Sequence, residues 1–417
     1  MKKLLLTLCV LMLGALCSVN AQFTNYTVAT SDLPSDYVGG GIAIDTNNNV
    51  WVGTDSGVAK FDGTNWTVFT MAVDGLPSDI ITCLAVDRLT NNIWIGTDGD
   101  GVAKYDGAAW TTYTVADGIC DNGIHYIAGD NNGCIWFGSW GSGISKLEDT
   151  TWTTYNAGNG FPEDQGSLAS VYYIHVDASN NKWFGTDLGL VKYNNIAFTT
   201  TNQTTTPELV SNYIMAVAVD ASDNKWLGVQ FGGLAKLNSS NTWVANYDTT
   251  NGLVNMGVTD IKFDSHGNMW LGAYTQYGAF IEGGITKFNT VAGSGISITE
   301  ADGLVDDQVF AIAIDQDNAI WAATGGGLSK YIDASGIKEN YKDMTLDICP
   351  NPVNETLNIS GNINSGIAVI TDITGKIIFN QAVSSPVIIN TENFGSGIYF
   401  IKITEKESVY TGKFIKK

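Results

Sequence analysis

The chain offers few residues suited to covalent chemistry. Its three histidines, His125, His175 and His266, share no motif. No HExxH, GxSxG or CxxC spacing occurs, so zinc hydrolysis and serine or thiol catalysis lack their usual groupings. A general base, were one needed, would fall to His175 or His125. Aspartates recur in a polar turn, at Asp45, Asp130, Asp177, Asp220, Asp264 and Asp315. That set could suggest calcium, but Asp and Asn side chains bonding their own turn amides account for it more simply. No catalytic residue, metal or cofactor is expected. The informative residues are those that break a regular pattern. Trp140, Phe231, Tyr274, Tyr277 and Phe280 are loop aromatics. Asp79, Asn122, Asp164, Asn255 and Asp307 lie in neighbouring loops, and Lys262 replaces a small residue. Rings that cover apolar sugar faces, beside carboxylates and amides that bond hydroxyls, point to binding of a glycan or a protein partner.

The elements that position these residues follow from an internal repeat. Tryptophans preceded by an apolar segment and a polar turn stand at Trp51, Trp94, Trp136, Trp183, Trp226, Trp270 and Trp321, spaced by 43, 42, 47, 43, 44 and 51 residues. Each unit reads as an apolar run such as CLAVD, an Asn-rich turn, Trp and glycine, a short loop, then Gly-x-x-Lys. Four units add a second tryptophan, at Trp66, Trp110, Trp152 and Trp243. Segments of four to seven residues bounded by Asn, Asp or Gly are strands and hairpins. Four such strands make one blade of a β-propeller, and seven units predict seven blades. The seven tryptophans are assigned to the core. The seventh unit lacks an outer strand, and Phe23–Thr27 resembles the missing piece, so the N-terminal strand is expected to close the ring. The lysines of Gly-x-x-Lys (Lys60, Lys104, Lys146, Lys192, Lys236, Lys287 and Lys330) are expected to meet acids of their own or an adjacent blade.

In such a blade, the loops before the inner strand and between the second and third strands open on one face. Most second-to-third loops are short. Blade six inserts AYTQYGAFIEGG, blade three places Trp140 in its loop and blade five Phe231.

The ends set the address. Lys2 and Lys3, the apolar run Leu4 to Leu16 and Val19-Asn20-Ala21 read as a signal peptide over 1–21, cut after Ala21. No transmembrane segment is read elsewhere. Four cysteines remain, Cys83, Cys120, Cys134 and Cys349, and they are read as small buried thiols; Cys120 and Cys134 are too far apart along one hairpin to bridge. The formal net charge is −21. Residues 22–332 hold 33 acids and 11 bases, and residues 333–417 hold 9 acids and 8 bases. A surface that acidic repels nucleic acid and anionic membranes.

The unit D-x-x-x-N-x-W-x-G-T-x-x-G-x-x-K-Y, with NGL or DGL before the inner strand, resembles the two-component regulator propeller repeat over residues 22–332. In that family the propeller often serves as the periplasmic sensor of a hybrid histidine kinase that responds to glycan fragments. This chain shows no kinase after its propeller. Propellers of similar repeat also include lyases of cyclic peptide antibiotics and polysaccharides. From Leu346 the grammar changes to short alternating strands, a small β-sandwich over 346–417 behind a polar linker, 333–345. Pro350-Asn351-Pro352, the Asp372-x-x-Gly375 turn, Gly397-Ile-Tyr399 and the final Lys416-Lys417 resemble the C-terminal sorting domain of the type IX (Por) secretion system. Cys349 stands where that family usually has an aromatic. The resemblance implies export through the type IX machinery, and then attachment at the cell surface or release. The expectation is an all-β chain, a seven-bladed β-propeller followed by a small C-terminal β-sandwich. It would be an extracellular or surface-bound binding protein, with a lyase or a purely structural surface protein as alternatives.

Overall fold

The polar turn, the tryptophan and the alternating strands act together in each unit. In blade one the Asp45 carboxylate accepts from the backbone N–H groups of Asn47 and Asn49, both at 2.9 Å, with one oxygen. Its other oxygen accepts from Trp51 Nε1 at 3.0 Å. The turn needs one left-handed residue, and Asn48 takes it at φ 65°, a conformation asparagine tolerates better than most side chains. One carboxylate thus closes the hairpin and fixes the core indole. The same bond joins Asp130 to Trp136, Asp177 to Trp183, Asp220 to Trp226, Asp264 to Trp270 and Asp315 to Trp321. Blade two departs because its turn carries one more residue. Asp87 bonds Leu89 N–H and the Thr90 hydroxyl instead, and Trp94 Nε1 is buried without a partner.

The computed structural model describes residues 22–277, 280–333, 344–360, 365–372, 376–384, 387–405 and 408–417. The signal-peptide reading over 1–21, most of the linker reading and Gly375 lie outside them. Six four-stranded antiparallel sheets run in sequence order, as in blade two with strands Ile81–Val86, Ile93–Thr97, Val102–Tyr105 and Trp110–Tyr113. The seventh consists of Val309–Ile314, Ile320–Thr324, Gly327–Ile332 and, as its outer strand, Gln22–Tyr26. Phe23 pairs with Tyr331 and Tyr26 with Leu328. The N-terminal strand therefore closes the ring. A second seam repeats this at the turns. The left-handed Asn48 accepts from Gln316 N–H of blade seven at 3.0 Å, as Asn91 does from Thr46 and Asn318 from Ser265.

The glycine opening each third strand has a steric reason. At Gly57 (φ +117°) a Cβ would lie 2.4 Å from the Phe69 carbonyl oxygen. The core tryptophans are buried, as expected. The lysines opposite them differ from expectation. Lys60, Lys192, Lys236, Lys287 and Lys330 lie over the indole of their own blade, 4.6 to 5.6 Å from its centroid. Acids are added for Lys146 (Glu148), Lys287 (Asp333) and Lys330 (Asp315). Strand register puts lysine directly across from tryptophan, and the ring face is the nearest attractive surface. The four cysteines are free; Cys83 and Cys134 are buried, Cys120 is half-buried, and Cys349 is exposed, unlike the buried thiol expected there.

A second compact unit ends at Lys417. Its five-stranded sheet contains Ser365–Asp372, Ile377–Ser384, Gly397–Glu405 and Ser408–Lys416, and a three-stranded sheet contains Thr356–Ser360 and Val387–Asn390. Leu357, Ile359, Ile370, Ile401 and Phe414 form its core. Asn351 between the two prolines clamps the last strand: its oxygen accepts from Ile415 N–H at 2.9 Å and its Nδ2 donates to Lys413 O at 3.2 Å. Tyr399 stacks on Phe414 and donates its hydroxyl to Gly395 O at 2.9 Å. Asp372 caps its turn, its oxygen accepting from Lys376 N–H at 3.2 Å.

Candidate functional site: the mouth of the propeller channel

The inner strands are in register around the axis, which exposes the departures from the repeat. The residue paired with the core tryptophan is Ala43, Ala85, Ala128, Ala218 or Ala313 in five blades, but His175 in blade four and Lys262 in blade six. Two residues earlier come Cys83, Tyr126, Tyr173, Ala216, Asp260 and Ala311 in blades two to seven, with Gly41 at that place in blade one. Small residues on one side and large ones on the other leave an off-centre cavity of about 330 Å³, lined by inner-strand residues of all seven blades. At Gly41 a Cβ would come no closer than 3.7 Å to any neighbour, so that wall stays open.

The floor is polar. Tyr173 donates its hydroxyl to Asp260 at 2.6 Å, and Lys262 Nζ donates to the Tyr173 oxygen at 2.7 Å and to Asp260 at 2.5 Å. The other Asp260 oxygen accepts from Ile312 N–H at 3.0 Å. Four blades are joined, since the Tyr126 ring packs on Tyr173 at 4.4 Å. Burial pushes both tyrosines well above the usual phenol range, with the Asp260 charge adding. Both remain neutral, and Tyr173 is the donor to Asp260. Burial holds His175 down to about 4, and the Lys262 ammonium adds to this.

The rim is aromatic. Trp140, 59% exposed, stacks on His125 with ring centres 4.2 Å apart and planes 8° from parallel. Tyr172 stacks on Tyr213 at 6.4 Å, and Phe310 takes edge contacts from Tyr37 at 5.1 Å and Tyr274 at 5.3 Å. Carboxylates sit beside these rings. Burial lowers His125, while Asp98 and Asp121 pull the other way. Burial also pushes Tyr172 up to about 12, Asp187 adding to it, and Tyr37 is raised by burial and then by Asp55.

Of the residues singled out from sequence, Trp140, Tyr274, Lys262 and the candidate base His125 line this cavity, and His175 does not. Phe231 is exposed on its own hairpin at φ 55° and does not line it. Tyr277 and Phe280 end the long blade-six strands Met269–Tyr277 and Phe280–Asn289, and their side chains lie outside the described residues. The loop acids and amides have another task. Asp79 accepts from Met71 N–H, Asn122 from Val115 N–H and Asp307 from Glu300 N–H, at 2.7 to 2.9 Å. Asp36 and Asn212 do the same for Val28 and Gln203. Each staples the loop leading into an inner strand. Asn255 ties its loop to Thr275 and Glu282, and Asp164 is exposed in a two-residue ladder with Ser167. None of them lines the cavity. Sequence reading missed Tyr126, Tyr172, Tyr173, Asp260 and Phe310 as cavity residues. For Tyr126, Tyr173 and Asp260 the signal was available, because aligning inner strands by their tryptophan partner sets them in one column with Gly41, Cys83, Ala216 and Ala311; Tyr172 and Phe310 share a column of mixed size, with Gly40, Thr82, Met215 and Thr259, and carry no such signal. Among the described residues no group of three or more His, Cys, Asp or Glu is placed to hold a metal.

Residues 32–56, 75–99 and 118–141 match the two component regulator propeller family, and residues 347–417 match the secretion system C-terminal sorting domain. The chain carries both. The sorting domain implies handling by the type IX secretion system. No curated protein sequence matches the chain. Among solved structures it is similar to PorZ of Porphyromonas gingivalis, described as an essential bacterial surface component of the type-IX secretion system. The TM-score is 0.61 at 17% identity, over 92% of this chain and 60% of PorZ, so this chain spans less than two thirds of that one. It is also similar to a streptogramin B lyase (TM-score 0.58, 16% identity, 75% of this chain and 98% of that one). A third is YCF48 bound to D1 peptide (0.55, 14%, 75% and 97%). At these identities the likeness shows the fold alone. No helix among the described residues is long and apolar enough to cross a membrane.

Proposed function

We infer that this is an exported, non-enzymatic binding protein of the cell surface or medium, which takes its partner at the channel mouth. One observation carries the reading: the repeat-breaking side chains of the inner strands, His175 apart, cluster around one cavity, whose rim is three aromatic groups with carboxylates near them. Exposed, stacked rings around a pocket are a recognition surface, because a guest buries apolar area there with little loss of side-chain freedom. Export rests on the sorting domain. Propellers of this fold can hold a peptide, as the YCF48 complex does. The test is a panel of immobilised glycans and peptides, probed with the secreted protein and with Trp140→Ala. Capture of a guest that drops ten-fold or more with Trp140→Ala is expected. Capture indifferent to Trp140→Ala, or none, contradicts the reading.

A second reading, a lyase, draws on the streptogramin B lyase likeness in fold and on His125 at the mouth, its pKa held below that of a free imidazole by burial. His175 is a poorer base, already depressed to about 4 and beside an ammonium. Turnover of a cyclic peptide or uronic-acid polysaccharide that vanishes in His125→Ala would favour it.

A further inference from the structure

The fourteen loops on the mouth face differ from the rest of the propeller in two independent ways. The first is charge. The face is built from 27–41, 70–80, 114–123, 156–170, 202–213, 248–257 and 299–308, with the hairpins 55–56, 98–101, 140–143, 187–188, 230–232, 274–277 with 280–283, and 325–326. These segments hold 19 of the 33 acids of residues 22–332 and none of the 11 bases. The bases lie elsewhere. Seven lysines stand opposite the core tryptophans, Lys182 and Lys225 are buried at the start of second strands, Arg88 is in a turn on the other face, and Lys262 is in the channel. The second difference is apolar exposure. Tyr37, Met71, Val73, Ile80, Trp140 and Tyr213 are all exposed on the mouth face, and others accompany them. On the opposite face the exposed large apolar residues are isolated, as Leu89, Ile196 and Val291 on separate turns. A face both apolar and uniformly acidic is an interaction surface with a sign.

We propose that the occupant of this face is a basic, amphipathic polypeptide segment of a partner protein, with an apolar side chain in the cavity and lysines or arginines over the rim. The inference rests on the mouth being the binding site and names its partner class. A cation is suited to the rim, where the rings of Tyr37, His125 and Tyr172 lie within electrostatic reach of the carboxylates of Asp55, Asp98 and Asp187. It is unsuited to the floor, which already holds the Lys262 ammonium, on a side chain 34% exposed. The cavity therefore sorts its guest, with apolar groups inward and cations at the edge. An anionic chain would meet carboxylates on every side.

The test uses the full secreted chain and four synthetic dodecapeptides: alternating Leu/Lys, Leu/Ser, Leu/Glu and Ser/Lys. Binding is read by fluorescence anisotropy at 0.05 and 0.5 M NaCl, beside a glycan array. The expected result is that the Leu/Lys peptide binds at least ten-fold tighter than the other three and weakens in high salt. Asp55→Asn with Asp98→Asn, and separately Trp140→Ala, each weaken it ten-fold or more at an unchanged melting temperature. Asp317→Asn, on an exposed turn of the other face, leaves it unchanged. Equal binding of the Leu/Ser or Ser/Lys peptide, or equal weakening by Asp317→Asn, would overturn the proposal, since net charge or greasiness alone would then account for it. A glycan held in a Trp140-dependent way, with no peptide bound, overturns the proposal and leaves the mouth as the site. Absence of any Trp140-dependent guest removes both.

Discussion

Single residues carry two jobs in this propeller, and that makes their removal informative. Asp220 bonds its own turn amides and Trp226 Nε1. Asp220→Ala leaves a buried indole N–H unpaired and the turn uncapped, with an expected loss of about 1–3 kcal/mol in chemical denaturation. Asp87→Ala in blade two should cost less, because Trp94 Nε1 has no partner to lose. His175 supplies a pH signature. Its folded pKa is depressed to about 4 from an ordinary 6.5, so the unfolded chain takes up a proton first as the pH falls. Its contribution is complete above about pH 6.5 and lost as the pH drops toward 4, a change of at most about 3 kcal/mol. His175→Gln is expected to flatten the fall in melting temperature across that window; an unchanged profile would place the titration elsewhere. Lys182 shows what the sequence hid. Nothing in Asn-Asn-Lys-Trp announces that this lysine is buried, 3.0 Å from Asp130 of the preceding blade and over the Trp136 ring.

At the scale of elements, strand type and order were legible because each strand carries its own signal: period, turn residues and a tryptophan in fixed register. Even the ring closure could be read, since Phe23–Thr27 repeats the outer-strand pattern that blade seven lacks. The structure adds Asn25, which donates to Gly303 O at 3.0 Å and accepts from Ser329 at 2.8 Å. Removing residues 22–26 should open blade seven and expose the edge of Gly327–Ile332. The expected outcome is a lower melting temperature and concentration-dependent association in sedimentation, both rescued by adding the Gln22–Tyr26 peptide. The roles of the loop acids were not legible. Asp79, Asn122 and Asp307 look like ligand contacts in sequence because an acid at a loop end has no periodic partner. Only the folded loop brings a backbone N–H seven or eight residues back to meet it.

For the whole molecule, charge and exposed aromatic surface gather on the same face of the propeller. Composition gave the size of the negative charge, but its concentration on one face requires knowing which loops share that face. The cavity was harder to foresee, because it arises from residues of seven different blades, and only Lys262 and His125 among its inner-strand residues stood out alone. The sorting domain belongs to this scale too: a chain ending before residue 347 is expected to remain inside the outer membrane, checked by fractionation against the intact protein. The most direct test of the account is hydrogen exchange by mass spectrometry on the secreted chain, with and without a saturating guest from the panel. The account predicts protection in peptides spanning 98–101, 121–126, 139–143, 172–173 and 213–215, with the turns holding Leu89, Ile196 and Val291 unchanged. Protection confined to those turns, or spread evenly around the outer strands, would contradict it.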